Sequence, residues 1–295
     1  MQRLFGFMCL VLIATAVPAS AQERLKVVAS FSILGDFVRN VGGDRVSVTT
    51  LVGPEGDAHV YSPTPADAKK IADAKLIFIN GLGFEGWLPR LVQSSGSKAT
   101  VVTATTYITP LKLGSHADPH AWQTVVNAKT YINNIRVALS AAAPADAEVF
   151  KSNAEAYRAK LDALEGEIGQ FIGQIPSHRR KLITNHEAFG YFAKEYGFEF
   201  IAPVGVSTEA EPSARDIAAI ITQIKKAKIP AIFLENLSDP RLIKRIAAET
   251  GAKVGGTLYS DSLTDEKGDA PTYIDMVRHN IRTLRTALEG VTMRG

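Results

Sequence analysis

His59, His120, His186 and Asp261 are the side chains around which a chemistry can be built. His59 lies in Gly56-Asp57-Ala58-His59-Val60-Tyr61-Ser62-Pro63-Thr64-Pro65, after a strand-type run. His120 lies in Asp118-Pro119-His120-Ala121-Trp122, just ahead of a helix. His186 follows the strand-type run Lys181–Thr184 and leads a helix beginning at Ala188. Asp261 follows the run Lys253–Tyr259, in Leu258-Tyr259-Ser260-Asp261-Ser262. Any one of these histidines alone reads as an ordinary hydrogen-bonded loop residue. Together they share the connection from strand to helix, where open α/β sheets bind ligands. Three imidazoles and a carboxylate suit one divalent transition metal, and four ligands fill the tetrahedral shell that zinc accepts. Calcium or magnesium would call for oxygen ligands.

A catalytic zinc would keep three protein ligands, an open position and a general base. Four protein ligands leave no such position, and His186-Glu187 is followed by no second histidine at the H-E-x-x-H spacing. A zinc-dependent hydrolase would require Asp261 or Glu187 to serve as base instead.

The elements that must position these residues fall into two similar series. Leu25–Ser30, Val46–Val52, Lys75–Asn80 and Ala99–Ala104 are strand-like. Ile33, Phe37 and Val38 share one helical face, and Thr64–Ala74 reads as a helix with Thr64 as cap and Pro65 in the first turn. From residue 177 the pattern repeats: strands at Lys181–Thr184, Phe198–Pro203, Ala231–Leu234 and Lys253–Tyr259, and helices at Ala188–Tyr196, Ser213–Lys228, Pro240–Thr250 and Tyr273–Leu288. Such alternation predicts an α/β protein of two lobes, each a mostly parallel sheet with flanking helices. Between them Phe150, Tyr157, Leu161, Leu164, Ile168, Phe171 and Ile175 recur at helical spacing. The stripe is too short for a coiled coil and predicts one long helix packed on both lobes. The division reads as 1–21 leader, 22–145 N-terminal lobe, 146–176 linking helix and 177–295 C-terminal lobe. Two candidate ligands come from each lobe and converge on the cleft between them. One stiff helix between lobes also argues against a wide hinge opening as the working motion.

Arg3, the apolar stretch Leu4–Val17 and Ala19-Ser20-Ala21 read as a cleavable secretory signal peptide, leaving Gln22 as the first mature residue. The single cysteine, Cys9, lies within the apolar stretch behind Phe7 and Met8, which are not the small residues of a lipoprotein site. The mature chain is therefore expected to be exported and unlipidated, with no disulfide and no thiolate ligand. The full chain's formal net charge of +3, from 33 basic and 30 acidic residues, is too balanced to suggest nucleic acid. The short basic run Ser177–Lys181 reads as a solvated face.

The sequence resembles the solute-binding proteins of zinc and manganese ABC importers, from Val27 to about Leu288. The resemblance is carried by His59-Val60-Tyr61-Ser62-Pro63-Thr64-Pro65, Asn80–Trp87, Asp118–Trp122, His186–Phe192, Glu235-Asn236-Leu237 and Tyr259–Leu263. It implies two α/β lobes joined by one long helix, metal at the lobe interface, and delivery of a single Zn²⁺ or Mn²⁺ to the importer's membrane permease. The family's ligands fall on His59, His120, His186 and Asp261. Its third ligand is Glu in many manganese-dedicated members and His in zinc members and some mixed ones, so His186 favours zinc. The chain departs from the family pattern at Ala58, often Pro, at Ser62, often Glu, and at Gln123-Thr124-Val125, where Leu-Asp-Pro is usual. It also lacks the long His-rich loop of many zinc members, having only Leu113–Ala117; His116 there reads as solvated. An exported metal chaperone or an adhesin would be alternatives to an importer receptor. A monomer is the simple expectation.

Three further readings follow from the residues. Gly81-Leu82-Gly83-Phe84-Glu85-Gly86 fits a dinucleotide fingerprint, but Pro89 and the lack of an acid after the next strand point to turn and packing glycines. Glu187, Glu209, Glu211 and Glu235 are possible partners of the imidazoles, with surface or capping roles the simpler reading for each. The polar run Ser260–Asp269 makes Asp261 the ligand expected to move.

Overall fold

The computed structural model describes residues 23–289, apart from 115, 210, 211, 228 and 230. The leader, Gln22, Glu211 and Lys228 lie outside the described residues. The N-terminal lobe is built from β1 (Leu25–Phe31), α1 (Ser32–Gly42), β2 (Val46–Val52), α2 (Pro65–Ala72), β3 (Leu76–Ile79), α3 (Leu88–Ser95) and β4 (Thr100–Thr103). A short hairpin of β5 (Lys112–Leu113) and β6 (His116–Ala117) then leads to α4 (Val125–Ala142) and the long α5 (Ala147–Gly173). The C-terminal lobe follows as β7 (Lys181–Ile183), α6 (Gly190–Tyr196), β8 (Glu199–Ile201), α7 (Ala214–Ala227), β9 (Ala231–Glu235), α8 (Pro240–Thr250), β10 (Lys253–Leu258) and α9 (Tyr273–Glu289). The two large sheets run β2-β1-β3-β4 and β10-β9-β7-β8, and all their strands pair in parallel. This is the predicted α/β class. Most predicted elements recur within a residue or two, though the helix after His186 starts at Gly190 rather than Ala188.

The period of two along each central strand divides the core. In β1, Val27, Ala29 and Phe31 face α1 and α4, whereas Val28 faces the apolar layer under α2 and α3 with Leu51, Ile77 and Leu88. In the C-terminal lobe Ile183 and Ile232 pack with Ile220, Ile224, Ile243 and Ile246 of α7 and α8. Leu182, Phe233 and Leu258 turn the other way and join the same core as the N-terminal lobe. β10 bulges between Val254 and Gly256, and a Cβ at Gly255 would meet Phe233 at 2.6 Å and Ala287 at 2.8 Å. A glycine is needed there for α9 to lie this close to the sheet.

At 27 residues α5 extends about 40 Å. It buries Phe150, Ala154, Tyr157, Leu161, Leu164, Ile168 and Phe171, packing against α1 and α4 of one lobe and α9 of the other. Arg278 of α9 grips Glu167 of α5 through two contacts of 2.8 and 2.6 Å. The basic run is only partly a solvated face: Ser177 and His178 are exposed, but both arginines point inward. Arg180 donates to the carbonyls of Ile172 and Ile175, and Arg179 to that of Leu288. These carbonyls lie at or just past helix ends, where intrahelical donors run out, so the positive charges close the C-termini of α5 and α9.

The lobes meet over a buried surface rather than a hinge alone. Trp122 Nε1 and Gln123 Nε2 donate to the Ser260 carbonyl at 2.9 and 2.7 Å. Tyr273 donates its hydroxyl to the Trp122 carbonyl and its backbone N–H to Asp36. Ser32 Oγ accepts from Leu263 N at 3.0 Å. Ser260, Asp261 and Ser262 are fully buried. The Ser260 carbonyl and the Ser262 hydroxyl are bonded across the interface, and only residues 265–269 of this polar run are exposed, so the segment flanking Asp261 is not the solvated loop on which the expectation of its mobility rested.

Candidate metal centre

Each of the four candidate side chains arrives from a different connection. His59 lies between β2 and α2. Its backbone N–H donates to Asp57 Oδ1 at 2.9 Å, and the preceding Ala58 carbonyl accepts from Trp87 Nε1 at 2.8 Å. On its far side a capping box at α2 fixes the chain: Thr64 accepts from Asp67 N while Asp67 accepts from Thr64 N and from the Tyr61 hydroxyl. This bond and burial push the Tyr61 phenol up to about 12. The predicted cap at Thr64 and first-turn proline are both present.

His120 lies in the stretch between β6 and α4. Asp118 Oδ1 accepts its backbone N–H at 2.9 Å and lies 2.8 Å from its Nδ1. Asn80 Nδ2 donates to the Pro119 carbonyl at 2.9 Å. Asn80 is set in turn by Glu85, whose carboxylate accepts the backbone N–H groups of Asn80 and Gly81 and the Ser30 hydroxyl. The glycine-rich motif thus turns back on its own glutamate. Its first amides are taken and cannot cradle a phosphate, and its side chains steady two ligand-bearing segments. Asp118 Oδ2 packs against Gly190, where a Cβ would stand only 2.5 Å away, so space rather than backbone angle demands glycine.

His186 follows β7. Glu235, at the end of neighbouring β9, accepts the backbone N–H groups of Asn185 and His186 at 2.7 and 2.9 Å, and its Oε2 lies 2.6 Å from His186 Nδ1. Of the four glutamates named as candidate partners of the imidazoles, Glu235 takes that place rather than the simpler surface or capping role: it is buried against His186. Glu209 is exposed, and Glu187 is partly buried, its carboxyl pushed up by burial and by Asp118. His116 is exposed on the β5–β6 hairpin, as expected.

The four functional atoms converge. Asp261 Oδ2 lies 3.4 Å from His59 Nε2 and 3.1 Å from His186 Nε2, and Oδ1 lies 3.6 Å from His120 Nε2. His59 and His120 Nε2 stand 3.2 Å apart, and the whole set lies within 4.8 Å. A tetrahedron with metal–ligand bonds of about 2.0–2.2 Å has edges of roughly 3.3–3.6 Å, so these separations bracket the size of a four-coordinate shell. The side chains are 4%, 0%, 2% and 0% exposed, in chain order. Both oxygens of Asp261 and Nε2 of His186 are buried without a hydrogen bond, an arrangement that costs free energy unless a cation satisfies it. Phe84 and Trp122 wall the site, with ring centroids 4.6 Å from His59 and 5.3 Å from His120.

The electrostatics separate the imidazoles. Burial pushes His120 down, against the pull of Asp261 and Asp118. Burial also disfavours a charged His186, but the carboxylates of Glu235 and Asp261 outweigh it and hold this imidazole well above its usual range. Burial likewise opposes ionisation of Asp261, yet His186 and His120 hold it well below the usual carboxylate range. The two carboxylates thus favour the protonated form of His186, the form that a metal would have to displace.

Glu235→Gln removes the negative charge while keeping the shape. Metal affinity at pH 7.5 is expected to fall about 10- to 100-fold, as for other partners of metal-bound histidines. Without Glu235 the His186 pKa drops, so the steep part of the affinity–pH curve moves to lower pH. Competition titrations across pH check both effects; unchanged affinity would remove Glu235 from the account.

The family model for the periplasmic zinc-uptake complex component A matches residues 27–287. The iron-binding protein YfeA of Yersinia pestis is 36% identical over 271 residues, covering 90% of this chain and 87% of its own. The manganese-binding lipoprotein MntA of Halalkalibacterium halodurans is 34% identical over 96% of this chain and 98% of its own. Among solved structures, the periplasmic zinc-binding protein TroA of Treponema pallidum superposes with a TM-score of 0.86 at 31% identity, over 90% of this chain and 99% of its own. Both sheets, the helix between them and every loop bearing a candidate ligand lie inside the matched span, and the chain belongs to the zinc-uptake complex component A family of periplasmic metal-binding proteins.

Proposed function

We propose that His59, His120, His186 and Asp261 together hold one divalent transition metal, zinc in preference to manganese, as cargo for an ABC importer. The observation that carries this reading is the convergence of three Nε2 atoms on a buried carboxylate with no other donor. Relatives named for iron, manganese and zinc fit a shared site whose selectivity is tuned within it. Three imidazoles, one of them set by Glu235, favour zinc, a borderline acid that accepts nitrogen readily. Four side chains complete the shell and leave no position for a metal-bound water, so binding and delivery are favoured over hydrolysis. The partner is the importer's membrane permease, met as a monomer, and the lobe boundaries at 145/146 and 176/177 are retained. Calorimetric titration of the metal-stripped protein is expected to give one-to-one zinc binding and weaker manganese binding. Equal affinities would move selectivity elsewhere, and no stoichiometric binding of either would overturn the reading.

Proton competition supplies a second test. Glu235 and Asp261 favour the protonated form of His186, so metal binding should release protons. Affinity should fall as pH drops, and the binding heat should vary with the ionisation enthalpy of the buffer. Equal affinity at pH 5 and 7.5 would contradict this.

The family is extracytoplasmic. The lack of a lipid anchor rests on the residues before Cys9 alone, and relatives named lipoproteins give it no support. Mass spectrometry of the exported protein decides it: an unmodified N-terminus at Gln22 is the expected product.

A further inference from the structure

The proposed ligands are sealed, so an ion must have a way in. A cavity of about 370 Å³ reaches one of them. It lies at the carboxyl ends of β7 and β9, where the sheet order diverges, with β8 on one side and β10 on the other. This is the position at which parallel sheets form crevices. The cavity runs from exposed Asp239 and Arg241 to buried Asn185 and His186. An ion passing along it meets His186 first and the deeper His120 and Asp261 afterwards.

Asp57 and Thr208 also line this cavity, from opposite lobes. Thr208 Oγ1 donates to Asp57 Oδ2 at 2.7 Å, while the other oxygen of Asp57 accepts His59 N. The loop that carries Thr208 is fastened to His186: Val204 bridges with His186, and Glu187 N donates to the carbonyls of Val204 and Gly205. The Thr208–Asp57 bond therefore ties the segment around His59 to the segment around His186, beside the cavity. On the Asp261 side the lobes are held by buried bonds from Trp122, Gln123 and Ser32. Opening is easier at the half-exposed Thr208–Asp57 contact than across that buried face.

We propose that this cavity is the port through which the ion passes between solvent and the site, and that the Thr208–Asp57 hydrogen bond is the latch that sets the rate of passage. Thr208 is a positioning residue and touches no metal. The inference rests on the ligand set proposed above.

Stopped-flow capture of Zn²⁺ by the stripped protein, and its transfer from the loaded protein to excess chelating indicator, test the proposal. For Thr208→Val both rates should rise about 10- to 100-fold, the range expected for losing a hydrogen bond to a charged group, with Kd within about threefold of wild type. Thr208→Ser should restore wild-type rates. Ser238→Trp, which fills the cavity, should slow capture and release together at unchanged Kd. Unchanged rates in Thr208→Val and Ser238→Trp, with one-to-one binding intact, would place the port elsewhere and overturn the proposal. A weakened Kd in Thr208→Val with an unaltered capture rate would make Thr208 merely structural and also overturn it. Failure of the wild type to bind zinc would instead remove the ligand set.

Discussion

Asp261→Ala is expected to raise the zinc Kd by about 10²- to 10³-fold. Structural four-ligand zinc sites bind with about 10–16 kcal/mol, so losing one ligand of four forfeits roughly 3–4 kcal/mol, which is that factor. Asp261 is also the group on which the three Nε2 atoms converge, at 3.1–3.6 Å. Its removal deprives the site of the charge that offsets a cation away from water. The same change lowers the His186 pKa, because Asp261 is one of the two carboxylates that hold it up. Fewer protons are then released on any residual binding. Competition against a chromophoric chelator measures the affinity, and circular dichroism establishes that the variant is folded. A Kd within threefold of wild type would exclude Asp261 as a ligand.

Trp122→Ala is expected to destabilise the metal-free protein by about 3–5 kcal/mol, the range for deleting a buried aromatic. Trp122 is fully buried between Phe31 and Phe84, with centroids 5.0 and 4.9 Å away. Its Nε1 also holds the Ser260 carbonyl next to Asp261. Gln123 still bonds that carbonyl at 2.7 Å, so packing dominates the loss. Urea unfolding of both proteins gives the difference. Added zinc should recover part of it, since a ligand that binds only the folded state stabilises by mass action. A loss below about 1 kcal/mol would mean that the lobe interface does not depend on this side chain.

The four candidate ligands were legible because their positions are local: His59, His186 and Asp261 follow strands of the parallel sheets, whose ends lie together, while His120 follows the antiparallel β5–β6 hairpin and was marked only by the helix that comes after it. The α5 stripe was legible for a similar reason, since helical spacing is written in consecutive turns. Glu235 was not. It lies 49 residues from His186, and only the pairing of β7 with β9, Ile183 opposite Ile232, brings it beneath the imidazole. A carboxylate at the end of a strand carries no mark of its partner. Asp118 carried a weak signal, since an Asp two residues before its backbone partner is a common Asx arrangement, but sequence alone does not say that the same carboxylate reaches the ring. Ser262, Arg179 and Arg180 misled for one shared reason. Polar and charged residues imply water only when the chain offers no buried partners, and here those partners come from the other lobe or from helix ends.

Crystallography of the zinc-loaded protein, with anomalous data collected at the zinc edge, tests the central claim most directly. The account predicts one strong peak about 2.0–2.2 Å from Nε2 of His59, His120 and His186 and from a carboxylate oxygen of Asp261. A peak bound elsewhere, or one that omits any of these four side chains, would contradict it.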